Sequence, residues 1–195
     1  RVSHATEMKP YHKLSCSMYM LYQIQHQVME WINVNNPLIL QSDSLWNKID
    51  TADLVRHTPM LLEWCKTHDL RLREVALTVM HTPVGAGLHI DELPITAKVN
   101  IPIQNTKNSY NRWYEIPEDM LAETQPIIGP FGKKFYQFKD VDYSQLNMIG
   151  ELELLDPVVF NSQLAHNIVI GDQCKLPRVV LTCMFFNEPS HYLLP

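Results

Sequence analysis

The stretch Gly87-Leu88-His89-Ile90-Asp91 decides how the rest of this chain is read. His89 and Asp91 are two residues apart, and on a β-strand residues i and i+2 point to the same face. An imidazole and a carboxylate are therefore offered side by side. His166 lies far downstream, at the head of another strand-like piece, His166-Asn167-Ile168-Val169. Brought back beside the first strand, its ring would complete a facial set of two imidazoles and one carboxylate, with coordination positions left over. Arg178, twelve residues beyond His166, opens a further apolar strand and supplies a planar fork that suits a carboxylate.

Around this stretch the texture is β. Residues 71–81 are β-rich and partly alternating, and short strand-like pieces follow at about 86–91, 96–104, 110–116, 134–139, 150–155, 157–160, 166–171 and 177–187, separated by Gly, Pro and Asn. Many short strands with turn signals between them predict an all-β sandwich or barrel. Two of the strands sort their side chains by face. In 96–104, Ala97, Val99, Ile101 and Ile103 form an apolar face while Lys98 and Asn100 point the other way. In 177–187, Val179, Leu181, Cys183 and Phe185 oppose Arg178, Val180, Thr182, Met184 and Phe186. With a metal inside the barrel, Lys98, Asn100 and Arg178 would converge near it. Three such donors in an apolar interior are unfavourable unless a ligand satisfies them, and an anion with two carboxylates would.

Upstream, Met18, Leu21, Tyr22, Met29 and Ile32 approximate helical spacing over Ser17–Asn33, and Asn35-Asn36-Pro37 ends the pattern. A second helix, capped by Thr51 or Asp53, runs to about His68, with Pro59 dividing it into two pieces. Residues 1–16 read as a tail or a first edge strand. The chain is thus expected to be a single domain over 1–195, with a helical buttress at 1–69 and a β core at 70–188. Residues 105–134 form a long, turn-rich segment, the candidate lid.

Composition narrows the classes. The chain has 195 residues, is 46% hydrophobic and carries a formal charge of −5, enough for one domain with a substantial core. It has no run of Lys and Arg, which argues against a nucleic-acid partner. No apolar run approaches the roughly 20 residues that span a bilayer, so no membrane partner is expected. Cys16, Cys65, Cys174 and Cys183 are dispersed, with no CxxC pair, which fits free thiols in a cytoplasmic compartment. The chain opens on Arg1 rather than Met, as a trimmed chain or a fragment would.

The order His89-x-Asp91, then a strand ending Asn100-Ile101-Pro102-Ile103, then Gly150-Glu151-Leu152, Phe160, His166-Asn167-Ile168-Val169 and Arg178 resembles the Fe(II)/2-oxoglutarate-dependent oxygenases, nearest their aspartyl/asparaginyl β-hydroxylase branch. The resemblance spans about 70–188 and implies a double-stranded β-helix, a jelly roll of cupin-like form. It implies Fe(II) held by His89, Asp91 and His166, which would also be the catalytic residues. It implies 2-oxoglutarate gripped at its distal carboxylate by Arg178, with Lys98 and Asn100 as further contacts. The activity implied is hydroxylation of an amino-acid or peptide side chain, or a similar small polar substrate, consuming O2 and releasing succinate and CO2. Three positions depart from that branch. Asp91 supplies a carboxylate that the best-known aspartyl hydroxylases lack, Asn100 stands where the branch has His, and Val180 stands where many relatives have Ser or Thr.

Each residue has a plainer reading. His89 and Asp91 could be a surface pair in a turn, and Arg178 a sheet-edge charge. Lys98 could be an exposed edge lysine, and Asn100 a buried amide satisfied by backbone. Tyr110, Arg112, Trp113 and Tyr114 read either as a substrate-contacting lid or as core aromatics with a surface Arg. Asn161, Gln163 or Asn167 could orient His166, although turn polarity explains them too. His81 reads as a half-buried strand residue rather than part of the site. Gly129-Pro130-Phe131-Gly132-Lys133-Lys134 reads as a turn, since the full phosphate-loop pattern is missing. A cupin-like metal- or ligand-binding module without turnover is the alternative to an enzyme.

Overall fold

The computed structural model describes residues 8–92, 95–129 and 132–195. Its strands form two antiparallel six-stranded sheets. Sheet A takes β1 (Tyr11–Lys13), β10 (Val158–Asn161), β5 (Ala97–Gln104), β12 (Arg178–Phe185), β3 (Leu72–Met80) and β2 (Trp46–Lys48) in that order. Sheet B takes β7 (Ile127–Ile128), β8 (Lys134–Gln137), β4 (Ala86–Ile90), β11 (Ala165–Ile170), β6 (Ser109–Tyr114) and β9 (Met148–Glu153). Strands distant in sequence alternate within each sheet, the connectivity of a jelly roll.

Three helices cover the outer face of sheet A. Helix α1 (Met18–Asn35) starts where the Ser17 side chain accepts the Met20 N–H at 3.1 Å, and it buries Ile24, Val28, Trp31 and Ile32. Helices α2 (Thr51–His57) and α3 (Pro59–Thr67) are the two pieces expected around Pro59. The cap of α2 is Asp50, not Thr51 or Asp53: Asp50 Oδ1 accepts the Asp53 N–H at 2.9 Å. The Thr51 hydroxyl is used elsewhere, accepting from Val75 N at 3.1 Å. Against these helices sheet A presents Val99, Ile101, Val179, Leu181 and Cys183, all fully buried in one apolar cluster. That is one of the two faces read from the alternation of β5 and β12. The other face carries Lys98, Asn100, Arg178, Val180, Thr182 and Met184 and looks into a cavity between the sheets.

The N-terminal region is more than a helical buttress, because it also supplies β1 and β2, one edge strand on each side of sheet A. Strands of three residues are too short to show a period. The turn-rich segment expected over 105–134 is divided by the strand expected at about 110–116. Asn105 and Asn108, with φ of 56° and 61°, close a tight turn, and left-handed backbone is a conformation that Asn tolerates better than most residues. Strand β6 then fills 109–114 in the middle of sheet B. Beyond it, α4 (Glu118–Glu123) lays Met120 on the outer face of sheet B, against the cluster of Leu88, Tyr114, Phe138 and Ala165. Among the described residues, no helix is long and apolar enough to cross a membrane.

Candidate metal centre

Strands β4 and β11 pair antiparallel with His89 directly opposite His166. Directly opposed residues on one face lie about 5 Å apart at Cβ, and here the two ring centroids are 4.2 Å apart. Just past this pair the register shifts, where Gly85 meets Ile168 so closely that a Cβ would sit 1.8 Å from the Ile168 carbonyl oxygen. Asp91 follows the end of β4 and is fixed by its backbone, donating to the Ser162 carbonyl at 3.1 Å and accepting from Gln163 Nε2 at 3.3 Å.

Both imidazoles are held in one tautomer. His89 Nδ1 lies 2.7 Å from the Gly87 carbonyl oxygen, and His166 Nδ1 lies 2.7 Å from the Leu164 carbonyl oxygen. A carbonyl only accepts, so each Nδ1 carries the hydrogen and each neutral ring presents the lone pair of Nε2. The two Nε2 atoms face Asp91 Oδ1, at 3.3 Å for His89 and 3.7 Å for His166. Taking one ligand atom from each residue, all three lie within 4.8 Å of one another. Two imidazole nitrogens and one carboxylate oxygen suit a divalent first-row metal such as Fe(II). Carbonyl acceptors behind both rings are the usual support for metal-ligating histidines. The donor set therefore fits the metal.

The electrostatics follow from burial and crowding. Burial opposes the charge of Asp91, yet Lys98, His166 and His89 together hold its carboxyl well below the usual range. Burial, reinforced by the charge on His89, pushes His166 down to about 3, so its ring stays neutral. Burial also lowers His89, but Asp91 more than reverses this and leaves it raised above 6.5. A proton on His89 must leave before the ring can bind metal. Metal affinity is therefore expected to climb about tenfold per pH unit up to the raised pKa of His89 and then to level off. Zn(II) titrations from the ordinary histidine range upward check this; a flat profile would contradict it.

The triad lies on the wall of a cavity of about 310 Å³ that Arg178 also lines. Arg178 is 1% exposed, donates from Nε to Ser109 Oγ at 2.8 Å, and reaches Asn111 Oδ1 from Nη2 at 3.4 Å. It has no carboxylate partner among the described residues, and burial lowers it to about 10. A buried guanidinium without an anion is unfavourable by several kcal/mol, so the site is built for one. Thr182 donates to Asn100 Oδ1 at 2.9 Å, so the buried Asn100 amide is partnered by a side chain rather than by backbone. Lys98 is only 12% exposed at its side chain and is bonded to Asp91 Oδ2. It is not the solvated edge lysine of the plainer reading.

Other side chains take the plainer roles. Trp113 is fully buried, Tyr114 nearly so, and Arg112 pairs with Glu151 at 2.7 Å, which makes this cluster core aromatics with a surface Arg. The residues near His166 do not orient its ring: Gln163 and Asn161 hold backbone instead, and Asn167 Oδ1 is buried with no partner among the described residues. His81 pairs with Asp43 at 3.0 Å, outside the cavity. In the Gly129–Lys134 stretch, Gly132 N donates to the Gly129 carbonyl at 2.9 Å; Pro130 and Phe131 lie outside the described residues. The four cysteines are free, and the triad is the one His, Cys and acid cluster of metal-holding form among the described residues.

The reading of the sequence missed Ser109 and Asn111, which position Arg178, and Trp46 with Leu45 at the cavity. The alternation of β6 held the first signal, since Ser109 and Asn111 share a face with Trp113.

No protein-family model and no curated protein sequence matches the chain. Solved structures match by shape. HygX from Streptomyces hygroscopicus, with nickel and 2-oxoglutarate bound, is similar with a TM-score of 0.53 and 9% identity, over 90% of this chain and 81% of that one. The epimerase SnoN, in complex with Fe3+, alpha-ketoglutarate and nogalamycin RO, is similar with a TM-score of 0.50 and 10% identity, over 92% and 80%. At such identities the likeness is one of fold. The chain has the double-stranded β-helix, the cupin-like jelly roll, that these enzymes share.

Proposed function

We propose that this protein is an Fe(II)- and 2-oxoglutarate-dependent dioxygenase that hydroxylates an amino-acid or peptide side chain or a similar small polar substrate. The observation that carries the reading is the convergence of His89, Asp91 and His166 on a cavity in which Arg178 is buried with no carboxylate partner among the described residues. Two neighbours in fold are described with a metal and this keto-acid bound, which supports the cofactor assignment. The placement nearest the aspartyl/asparaginyl branch rests on the sequence motifs.

His89 and His166 would hold the metal through Nε2, and Asp91 through Oδ1. Bound there, Fe(II) supplies oxidation of a C–H bond by O2 coupled to conversion of 2-oxoglutarate into succinate and CO2. The protein's share is to bind, orient and exclude water. Arg178, held by Ser109 and Asn111, would grip the distal carboxylate and so set the depth of the keto-acid. Asn100, with Thr182, and Lys98 line the chamber between the two anchors.

Fe(II)-dependent release of succinate and CO2 from 2-oxoglutarate is the test. Expected is turnover in the native chain and its loss in His166→Ala. Metal binding with no keto-acid turnover under any substrate would instead favour a cupin-like binding module.

A further inference from the structure

We propose that Lys98 is a positioning residue that makes Asp91 a one-oxygen ligand, and so keeps a coordination position open that a chelating carboxylate would fill. The inference rests on the metal reading above and adds a role for a side chain that does not itself touch the metal.

The two oxygens of Asp91 are sorted. Oδ1 faces both imidazoles, at 3.3 and 3.7 Å, while Oδ2 is bonded to the Lys98 ammonium. A carboxylate can bind a cation through one oxygen or two. In an octahedral set of about six positions, two imidazoles and one oxygen leave three open; a second oxygen leaves two. A chelating keto-acid takes two, so with both carboxylate oxygens bound nothing would remain for a further reactant. The Lys98 bond occupies the oxygen that would otherwise close the site.

Lys98 is built to stay there. Its neighbour in register is Phe160 on β10, whose ring also meets His166 edge-on at 4.9 Å and 81°. The ammonium lies 5.9 Å from the Phe160 ring centroid and 5.1 Å from that of Trp46. Two aromatic faces attract a nearly buried ammonium and narrow its range. One aromatic wall thus sets both the ligand His166 and the residue that orients Asp91. The other carboxylate of the cavity, Glu92, accepts the Lys133 backbone N–H at 2.8 Å through Oε1. Trp46, on the short edge strand β2, is as much part of this arrangement as Lys98.

The test compares Ni(II)-loaded full-length protein, native, Lys98→Met and Lys98→Arg. Expected in Lys98→Met is Asp91 bound through both oxygens in the crystal structure. With 2-oxoglutarate bound, the Ni(II) of Lys98→Met should keep no water ligand where the native complex keeps one, and Ni(II) affinity should fall by no more than the about 10–100-fold usual for partners of metal ligands. Lys98→Arg, which retains a donor, should restore one-oxygen binding by Asp91 and the open position. Asp91 still bound through one oxygen in Lys98→Met would overturn the proposal. Should Lys98→Met fail to fold, the native Ni(II) and 2-oxoglutarate complex decides: Nζ must remain on Oδ2, and an ammonium moved onto the keto-acid overturns it. Failure of the underlying metal reading looks different. In that case the native protein takes up no Ni(II) at the triad, and His166→Ala changes nothing.

Discussion

Replacing Arg178 with methionine is expected to raise the 2-oxoglutarate concentration for half-maximal turnover by about two orders of magnitude, with iron content unchanged. Truncating one partner of a buried, hydrogen-bonded charge pair removes about 2–5 kcal/mol, and each 1.4 kcal/mol is about tenfold in affinity. The guanidinium lines the cavity but is not part of the triad, so metal binding should not follow it. The same substitution should leave stability nearly untouched in the keto-acid-free protein. A buried, anion-free charge is removed, which helps, while Ser109 and Asn111 lose their partner, which hurts by about 1–3 kcal/mol. Steady-state kinetics and chemical unfolding check the two halves. An unchanged KM would remove Arg178 from its role.

Asp91→Gly is expected to abolish hydroxylation. Asp91 contributes the negative charge of the triad, and both Nε2 atoms are aimed at its Oδ1. Without it the two imidazoles remain beside a Lys98 ammonium that has lost the carboxylate bonded to it. Metal affinity should fall by at least about 100-fold, beyond the range found when partners behind the ligands are lost. Measuring metal content and turnover together is the check. Native turnover in Asp91→Gly would mean that this carboxylate is not a ligand.

Much of this was legible in the sequence because β-strands write their faces in alternation. Val99, Ile101, Val179 and Leu181 were separable from Lys98, Asn100 and Arg178 by period alone, and each set lies where that period puts it. His89 and Asp91 could be paired for the same reason. What the sequence withheld is register across strands. Nothing local says that His89 stands opposite His166 rather than two residues away, and a one-residue slip would send either ring to the other face. Short elements were equally hidden. Trp46 sits on a strand of three residues with no readable period, yet its ring packs on the ammonium beside the triad. Ser109 and Asn111 were readable, but the larger side chains Tyr110, Arg112, Trp113 and Tyr114 were read as one cluster without sorting the two faces of β6.

In the proposed site, two imidazoles and one carboxylate hold a metal while Arg178 holds the far end of a keto-acid. Crystals soaked anaerobically with Fe(II) and 2-oxoglutarate test it most directly. Expected is one iron at about 2.0–2.2 Å from His89 Nε2, Asp91 Oδ1 and His166 Nε2, ordinary distances for such ligands, with the distal carboxylate on the Arg178 guanidinium. Iron bound elsewhere, or a keto-acid that leaves Arg178 unpaired, would contradict it.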